Sequence, residues 1–322
     1  MAPSRGQVVE GNGSAPNLLT YPTNLVQTLD AHQAPVHVIR YNHGSKYLLS
    51  GSADRTIRLW NPALGKEIKC YRGHAQEVLA LDIAHDNARF ASSGGDKSVF
   101  VWDVASGAVT RRLQGHFGKI NAVAFGPDAQ VLATAGFDAK VMLWDMRAQS
   151  RDPIQTLKDA TSTLTSLILP SSPQLITGST DGHIRTYDLR FGLLTEDLVG
   201  HPIVSLKLSP TASEESILVG SGDGKIRVFD RKDGSVLQTF GGHKVTPQQG
   251  SRWGMSWGYG EGLVLAGDED GKLWSWSVLD AKPLNSSPTP IHKRIITSIE
   301  MHPKGKEMIT ASLDGTIKVW SR

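Results

Sequence analysis

Four times along this chain a histidine, a serine or threonine, an aspartate and a tryptophan recur at one spacing. The sets are His32, Ser50, Asp54 and Trp60; His74, Ser92, Asp96 and Trp102; His116, Thr134, Asp138 and Trp144; and His292, Thr310, Asp314 and Trp320. In each, the histidine stands 28 residues before the tryptophan, the aspartate six before it, and the hydroxyl four before the aspartate. These are the residue types of a nucleophilic triad, in which histidine takes a proton from a hydroxyl and aspartate orients the imidazole. A triad, however, is built once and aimed at a cleft. A set that returns at fixed spacing belongs to a repeated module, and reads as a buried polar network whose members satisfy one another.

Little else in the sequence could do chemistry. No glycine-rich phosphate loop, metal-spaced His/Cys cluster or isolated nucleophile motif stands out. The one cysteine, Cys70, rules out an intrachain disulfide or a cysteine-based zinc site. No catalytic, cofactor-binding or metal-binding residue is therefore assigned, and the chain is expected not to be an enzyme. A net charge of +3 falls well short of what holds a protein on nucleic acid by backbone charge, and the basic residues are scattered. No apolar run approaches the roughly 18 residues of a membrane span. The polar, Gly-, Pro- and Ser-rich start, residues 1–23, reads as a disordered tail before a single domain over 24–322. A lone cysteine suits a reducing compartment, the cytosol or nucleus.

The elements that carry the sets are themselves repeated. Aromatic residues close successive copies at Trp60, Trp102, Trp144, Tyr187, Phe229, Trp276 and Trp320, with gaps of 42, 42, 43, 42, 47 and 44. An aspartate precedes each by six residues: Asp54, Asp96, Asp138, Asp181, Asp223, Asp270 and Asp314. Within a copy, short β-branched runs are broken by turns such as Ser92-Ser-Gly-Gly-Asp96. Each copy thus reads as four short antiparallel strands with no helix-period stretch. A period of about 40–45 residues with Gly-His and Trp-Asp marks is a signature of the WD40 family, and the chain resembles that family from about Leu25 to Arg322. The resemblance implies an all-β fold, a seven-bladed WD40 β-propeller. It also implies that within a blade aspartate bonds histidine, histidine the hydroxyl, and the hydroxyl the indole N–H.

A ring of seven copies needs its ends to meet. The chain stops two residues after Trp320, leaving the last blade without an outer strand, while Leu25–Leu29 belongs to no blade of its own. Leu29 stands three residues before His32, as Tyr71 and Leu113 do before His74 and His116. An N-terminal strand is therefore expected to complete the last blade.

Three copies depart from the set. Blade 5 has Phe229 for the indole and Val219 for the hydroxyl, and losing both partners together costs little. Asp223→Ala should then cost less than Asp96→Ala, and His201 fits poorly as a member. Blade 4 has Tyr187 and Thr177 but no Gly-His. Blade 6 keeps His243, Asp270 and Trp276, yet Ala266 offers no hydroxyl, so Trp276 must bond elsewhere.

Blade 6 also has the longest spacing, 33 residues from His243 to Trp276, with Arg252 and Trp253 inside it. These two, with Phe137 and Lys119 on the loops of blade 3, form a candidate partner-binding patch, since exposed Trp, Phe and Arg dominate interface energy; the alternative is an ordinary long loop with the tryptophan covering its base. On the opposite face, Trp144-Asp-Met-Arg147 and Tyr187-Asp-Leu-Arg190 resemble the WDxR box of substrate receptors for cullin–RING ubiquitin ligases. That likeness would make Arg147 and Arg190 adaptor contacts. Three stretches, Gly94–Val109, Asp152–Leu157 and Gly178–Arg190, resemble the mitogen-activated protein kinase organiser family. This second resemblance implies a non-catalytic scaffold of cytoplasm and nucleus, monomeric within larger complexes. Its partners would be spliceosomal proteins or kinase-cascade components, and no cofactor or membrane is implied. A propeller hydrolase is the alternative from another class, and would need inward carboxylates or histidines around a metal.

Overall fold

The computed structural model describes residues 20–30, 32–245 and 253–322. They form seven antiparallel sheets, six of four strands and one of three. Blade 2 shows the pattern, with strands Val78–Ile83, Arg89–Gly94, Ser98–Asp103 and Val109–Gln114 running from the inside outwards. Its first three strands are almost wholly buried and the outer one mostly exposed, as expected of apolar β-branched runs followed by a polar strand. The inner strands of neighbouring blades touch all the way round, ending with that of blade 7 against that of blade 1. Among the described residues the only helical element is a 3-10 turn, Tyr259–Glu261.

The ring closes through the N-terminal strand, as the spacing predicts. Asn24–Leu29 lies antiparallel to Ile317–Ser321, with Leu25 opposite Trp320 and Leu29 opposite Ile317. Leu29 is buried with Trp60, Ile309 and Val319. Of the tail expected over 1–23, residues 1–19 lie outside the described residues, and the ordered packing begins earlier than Thr23. Pro22 is buried, Tyr21 packs against the cluster that contains Leu265, Ile299, Met308 and Trp320, and the Arg322 guanidinium donates to the Thr20 carbonyl at 2.8 Å.

Every inner strand but that of blade 6 slips register by one residue after its first position, at His37, Leu79, Asn121, Thr165, Val204 and Thr297. Such a bulge re-aims the extra side chain, and all six line the central channel. Three of them hold the next blade by the carbonyl that heads its inner strand. Asn121 Nδ2 donates to Leu164 O at 2.9 Å, Thr165 Oγ1 to Ile203 O at 2.8 Å, and Thr297 Oγ1 to Val36 O at 2.6 Å. In blade 6 a backbone group does this, Gly254 N to Ile296 O at 2.8 Å. A Cβ on Gly254 would lie within 2.8–3.0 Å of the Ser298 backbone, so only glycine allows that approach.

Among the described residues blade 6 lacks the fourth strand that the repeat predicts. Its outer segment meets the sheet only at isolated bridges, Trp276 with Pro283 and Lys272 with Pro290. Proline has no N–H for a ladder, and a side chain substitutes. Asn285 Oδ1 accepts from Ser275 N at 3.1 Å while its Nδ2 donates to Leu273 O at 2.9 Å.

Toward the far end of the inner strands the channel holds a charged cluster. Arg40 of blade 1 and Lys207 of blade 5 both donate to Glu300 of blade 7, the lysine at 2.8 Å. Asp82 of blade 2 accepts from Phe125 N at 2.7 Å. Burial would raise the Glu300 carboxyl, but the two cations outweigh it and hold it below the usual range. Burial lowers the Lys207 amine.

Candidate interaction site

The four sets assemble as short chains of hydrogen bonds. In blade 2, Trp102 Nε1 donates to Ser92 Oγ at 2.7 Å, Ser92 Oγ lies 2.7 Å from His74 Nε2, and His74 Nδ1 lies 2.8 Å from Asp96 Oδ2. Because the hydroxyl accepts from the indole, its own proton points at Nε2, and the imidazole N–H is left at Nδ1 for the carboxylate. The matching His–Asp distances are 2.8 Å in blade 1, 2.9 Å in blade 3 and 3.2 Å in blade 7. The His–hydroxyl distances there are 2.7, 2.9 and 2.8 Å. All four hydroxyl residues are 0% exposed. A substrate carbonyl cannot reach them, and their lone pairs and protons are already committed.

Each aspartate also accepts from the backbone N–H that follows its histidine: Gln33, Ala75, Phe117 and Lys293. The carboxylate thereby ties the loop entering the blade to the turn between its second and third strands, and fixes the surface of one face of the disc. Burial would raise the Asp54 carboxyl, but hydrogen bonds from His32 and Thr56 outweigh it and hold it well below the usual range. Asp96, Asp138 and Asp314 are lowered for similar reasons. Burial drops His292 to about 4 against the pull of Asp314, so that ring is neutral at pH 7.

Blades 4 and 5 replace histidine with arginine. Arg185 meets Asp181 at 2.9 Å and Glu196 at 2.6 Å, and Arg227 meets Asp223 at 2.6 Å. Burial opposes ionisation of Asp181, but N–H donors and Arg185 bring its carboxyl down to about 2. Asp223 is thus tightly held by Arg227, a partner that the expectation of a smaller cost for Asp223→Ala than for Asp96→Ala did not include. His201 stands half exposed, 3.7 Å from Asp223. The signal in the sequence is an arginine four residues after the aspartate in copies without a usable Gly-His.

Blade 6 differs again. Trp276 Nε1 turns to Gly241 O at 3.3 Å. Asp270 pairs with Lys244 and Lys272 instead of His243, while buried Asp268 accepts from Trp274 Nε1 at 2.9 Å. His243 is 6% exposed and neither ring nitrogen has a partner among the described residues. Burial pushes it down to about 4. Its ring lies edge-on between Trp253 and Trp276, at 5.1 and 5.3 Å.

The patch expected from sequence is only partly assembled. Trp253 is not exposed: at 1% accessibility it lies among Leu218, Val228, Phe240 and Trp276. A Cβ on Gly220 would meet its ring at 2.9 Å, so the glycine of the neighbouring blade makes the room. Burying so large an apolar ring is worth several kcal/mol (about 1.5–3 for a smaller Leu or Phe), which decides against the surface position. Arg252 lies outside the described residues. Phe137 is 65% exposed, and its N–H donates to Lys119 O at 2.8 Å, so these two do stand together. Beside them is Phe117, 75% exposed, with Lys140 Nζ 4.9 Å from its ring centre. Sequence reasoning missed both, although Phe117 follows Gly-His where other copies have Gln33, Ala75 and Lys293. At the opposite face Arg147 folds back on Asp145, at 3.2 and 3.3 Å, and Arg190 is exposed.

Comparison with known proteins fits this architecture. The family model described as WD domain, G-beta repeat, matches residues 23–61 and 286–321. The model described as Nucleolar protein 10-like, N-terminal domain, matches residues 75–278. An uncharacterised WD repeat-containing protein of Schizosaccharomyces pombe is 44% identical over 89% of this chain and 94% of its own. WD repeat domain-containing protein 83 of Xenopus tropicalis is 46% identical, and that of Homo sapiens 37%, each over 93% of this chain and 92% of the relative.

Proposed function

The chain belongs to the family of WD repeat domain-containing protein 83, and from that premise we propose that it is a non-catalytic scaffold assembling multiprotein complexes. The observation that carries this reading is the committed state of the candidate triads. Each hydroxyl is buried between an indole and an imidazole, and each carboxylate is engaged in holding surface loops. The chemistry of the repeat thus serves to present loops, and presentation is what a scaffold needs.

Within that reading the partners are spliceosomal proteins, components of a mitogen-activated protein kinase cascade, or both in turn, in nucleus and cytoplasm. The likeness to the kinase organiser family over Gly94–Val109 and Gly178–Arg190 supports this. A role as ubiquitin-ligase receptor through Arg147 and Arg190 has less support, because the Arg147 guanidinium already chelates Asp145. Affinity purification of the tagged chain with mass spectrometry separates these readings. Spliceosomal or kinase-cascade proteins are expected. A ligase adaptor lost on Arg147→Glu with Arg190→Glu would support the ligase role instead, and purification without any stoichiometric protein partner would overturn the scaffold.

A further inference from the structure

Blade 3 differs from the other six on the loop face. It carries phenylalanine both after its histidine and before its aspartate, where the other copies have Gln33, Ala75, Thr161 and Ala53, Gly95, Thr180 among others. Phe117 and Phe137 are exposed by 75% and 65%, more than any other aromatic on that face. Apolar side chains of that size, left in water, mark an interaction site.

They are also held in place. Phe117 N donates to Asp138 Oδ2 at 3.0 Å, and Phe137 N to Lys119 O at 2.8 Å. Between them lies Gly118, where a Cβ would come within 2.9 Å of the Phe137 Cβ. Phe137 thus lies over Gly118, and with Phe117 alongside it the two rings form one apolar patch on a fixed backbone. A backbone fixed before binding loses little entropy on association.

The exposed charge around the patch is mostly positive. Asp138 is engaged by His116 and the Phe117 N–H; Asp54, Asp96, Asp181, Asp223 and Asp314 are likewise held by histidine or arginine, and the exposed Asp270 by two lysines. Lys140 lies against the Phe117 ring, and Lys119 is 55% exposed with Glu77 at 2.7 Å. Farther round the same face Arg55, Lys97, Lys225, Lys244 and Lys293 are exposed. The loop face is mostly cationic because six of its seven turn aspartates are turned inward, Asp270 being the exception.

We propose that the patch formed by Phe117 and Phe137, flanked by Lys119 and Lys140, docks an acidic segment of a partner protein that carries apolar side chains. This rests on the scaffold reading and names the chemistry of one of its contacts. The apolar groups of the segment cover the two rings, while its carboxylates meet the lysines at the rim. A nucleic acid is the poorer fit, since a chain of net charge +3 offers few cations to displace the counterions condensed on its phosphates.

The test is selection from a random peptide library displayed on phage, against the full chain and against the Phe117→Ala, Phe137→Ala double variant. Enriched peptides are expected to combine Glu or Asp with Leu, Ile or Phe. As synthetic peptides they should bind the double variant at least about tenfold more weakly, with melting temperature unchanged. Lys119→Glu with Lys140→Glu should weaken them as well. Enrichment of basic or uncharged peptides, no enrichment, equal binding to the double variant, or binding of an oligouridine probe at this patch in place of peptide would overturn the proposal. Failure of the patch and failure of the scaffold are distinguishable. If purification still returns protein partners but selected peptides bind the double variant equally, only the patch fails; if the unaltered chain returns none, the scaffold fails.

Discussion

The same substitution should have opposite signs in two blades. His243 and His74 occupy equivalent positions before their tryptophans, and both are 6% exposed. His74 joins Ser92 to Asp96, at 2.7 and 2.8 Å, whereas His243 has no partner for either nitrogen among the described residues. Phenylalanine at 243 removes two buried polar atoms, each costing about 1–3 kcal/mol when unsatisfied. It also adds bulk between Trp253 and Trp276, which gives back about 1–3 kcal/mol. The balance is a gain of about 1–2 kcal/mol at neutral pH. Phenylalanine at 74 keeps the stack on Phe100 but strands Asp96 and the Ser92 proton, and should cost about 2–4 kcal/mol. Acid adds a second signature. Burial lowers His243 to about 4, against about 6.5 in an unfolded chain. Between those values the unfolded chain holds a proton that the folded chain does not, so stability is lost as the pH falls through that window. The whole loss is about 3 kcal/mol. The advantage of His243→Phe over the unaltered chain should grow by that amount on acidification. His292, also near 4, is present in both proteins and cancels. Guanidinium unfolding followed by circular dichroism across this pH range measures the gap. A His243→Phe protein less stable than its parent at neutral pH, or a gap that does not move with pH, would refute the reasoning.

Three further outcomes follow from the geometry. Removing residues 1–29 takes away the strand paired with Ile317–Ser321 and bares an edge. That protein should melt lower and aggregate, whereas a chain starting at Thr20 should melt like the parent; equal melting temperatures would refute closure by this strand. Asp223→Ala leaves the Arg227 guanidinium, 14% exposed, without its carboxylate. It should cost about 2–4 kcal/mol, as much as Asp96→Ala, and denaturant midpoints that differ little from the parent would remove the arginine from its assigned place. Glu300→Gln leaves Arg40 and Lys207 facing one another in the channel. About 3 kcal/mol should be lost, and Lys207→Met added to it should restore part of that, measured by the same unfolding curves.

The number of blades and the strand that closes the ring are legible in spacing, and the family resemblance adds the order of the hydrogen bonds in blades 1, 2, 3 and 7. A set whose members lie 28, ten and six residues from one tryptophan is carried by hairpins within one sheet. Short turns and a two-residue pleat fix where each member lands, so local sequence is enough. Spacing does not determine what crosses from blade to blade. Trp253 is buried because Gly220, on another blade, leaves room for its ring. Asp181 and Asp223 are held by Arg185 and Arg227 in copies that lack a histidine at the right distance. Phe117 and Phe137 become one patch only when the turn of blade 3 folds against its entry loop, with the Phe137 ring over Gly118. In each case the deciding term is the burial or pairing of a side chain by residues far away in sequence. That term exists only once the neighbouring sheets are packed, which is why only the tertiary structure decides it.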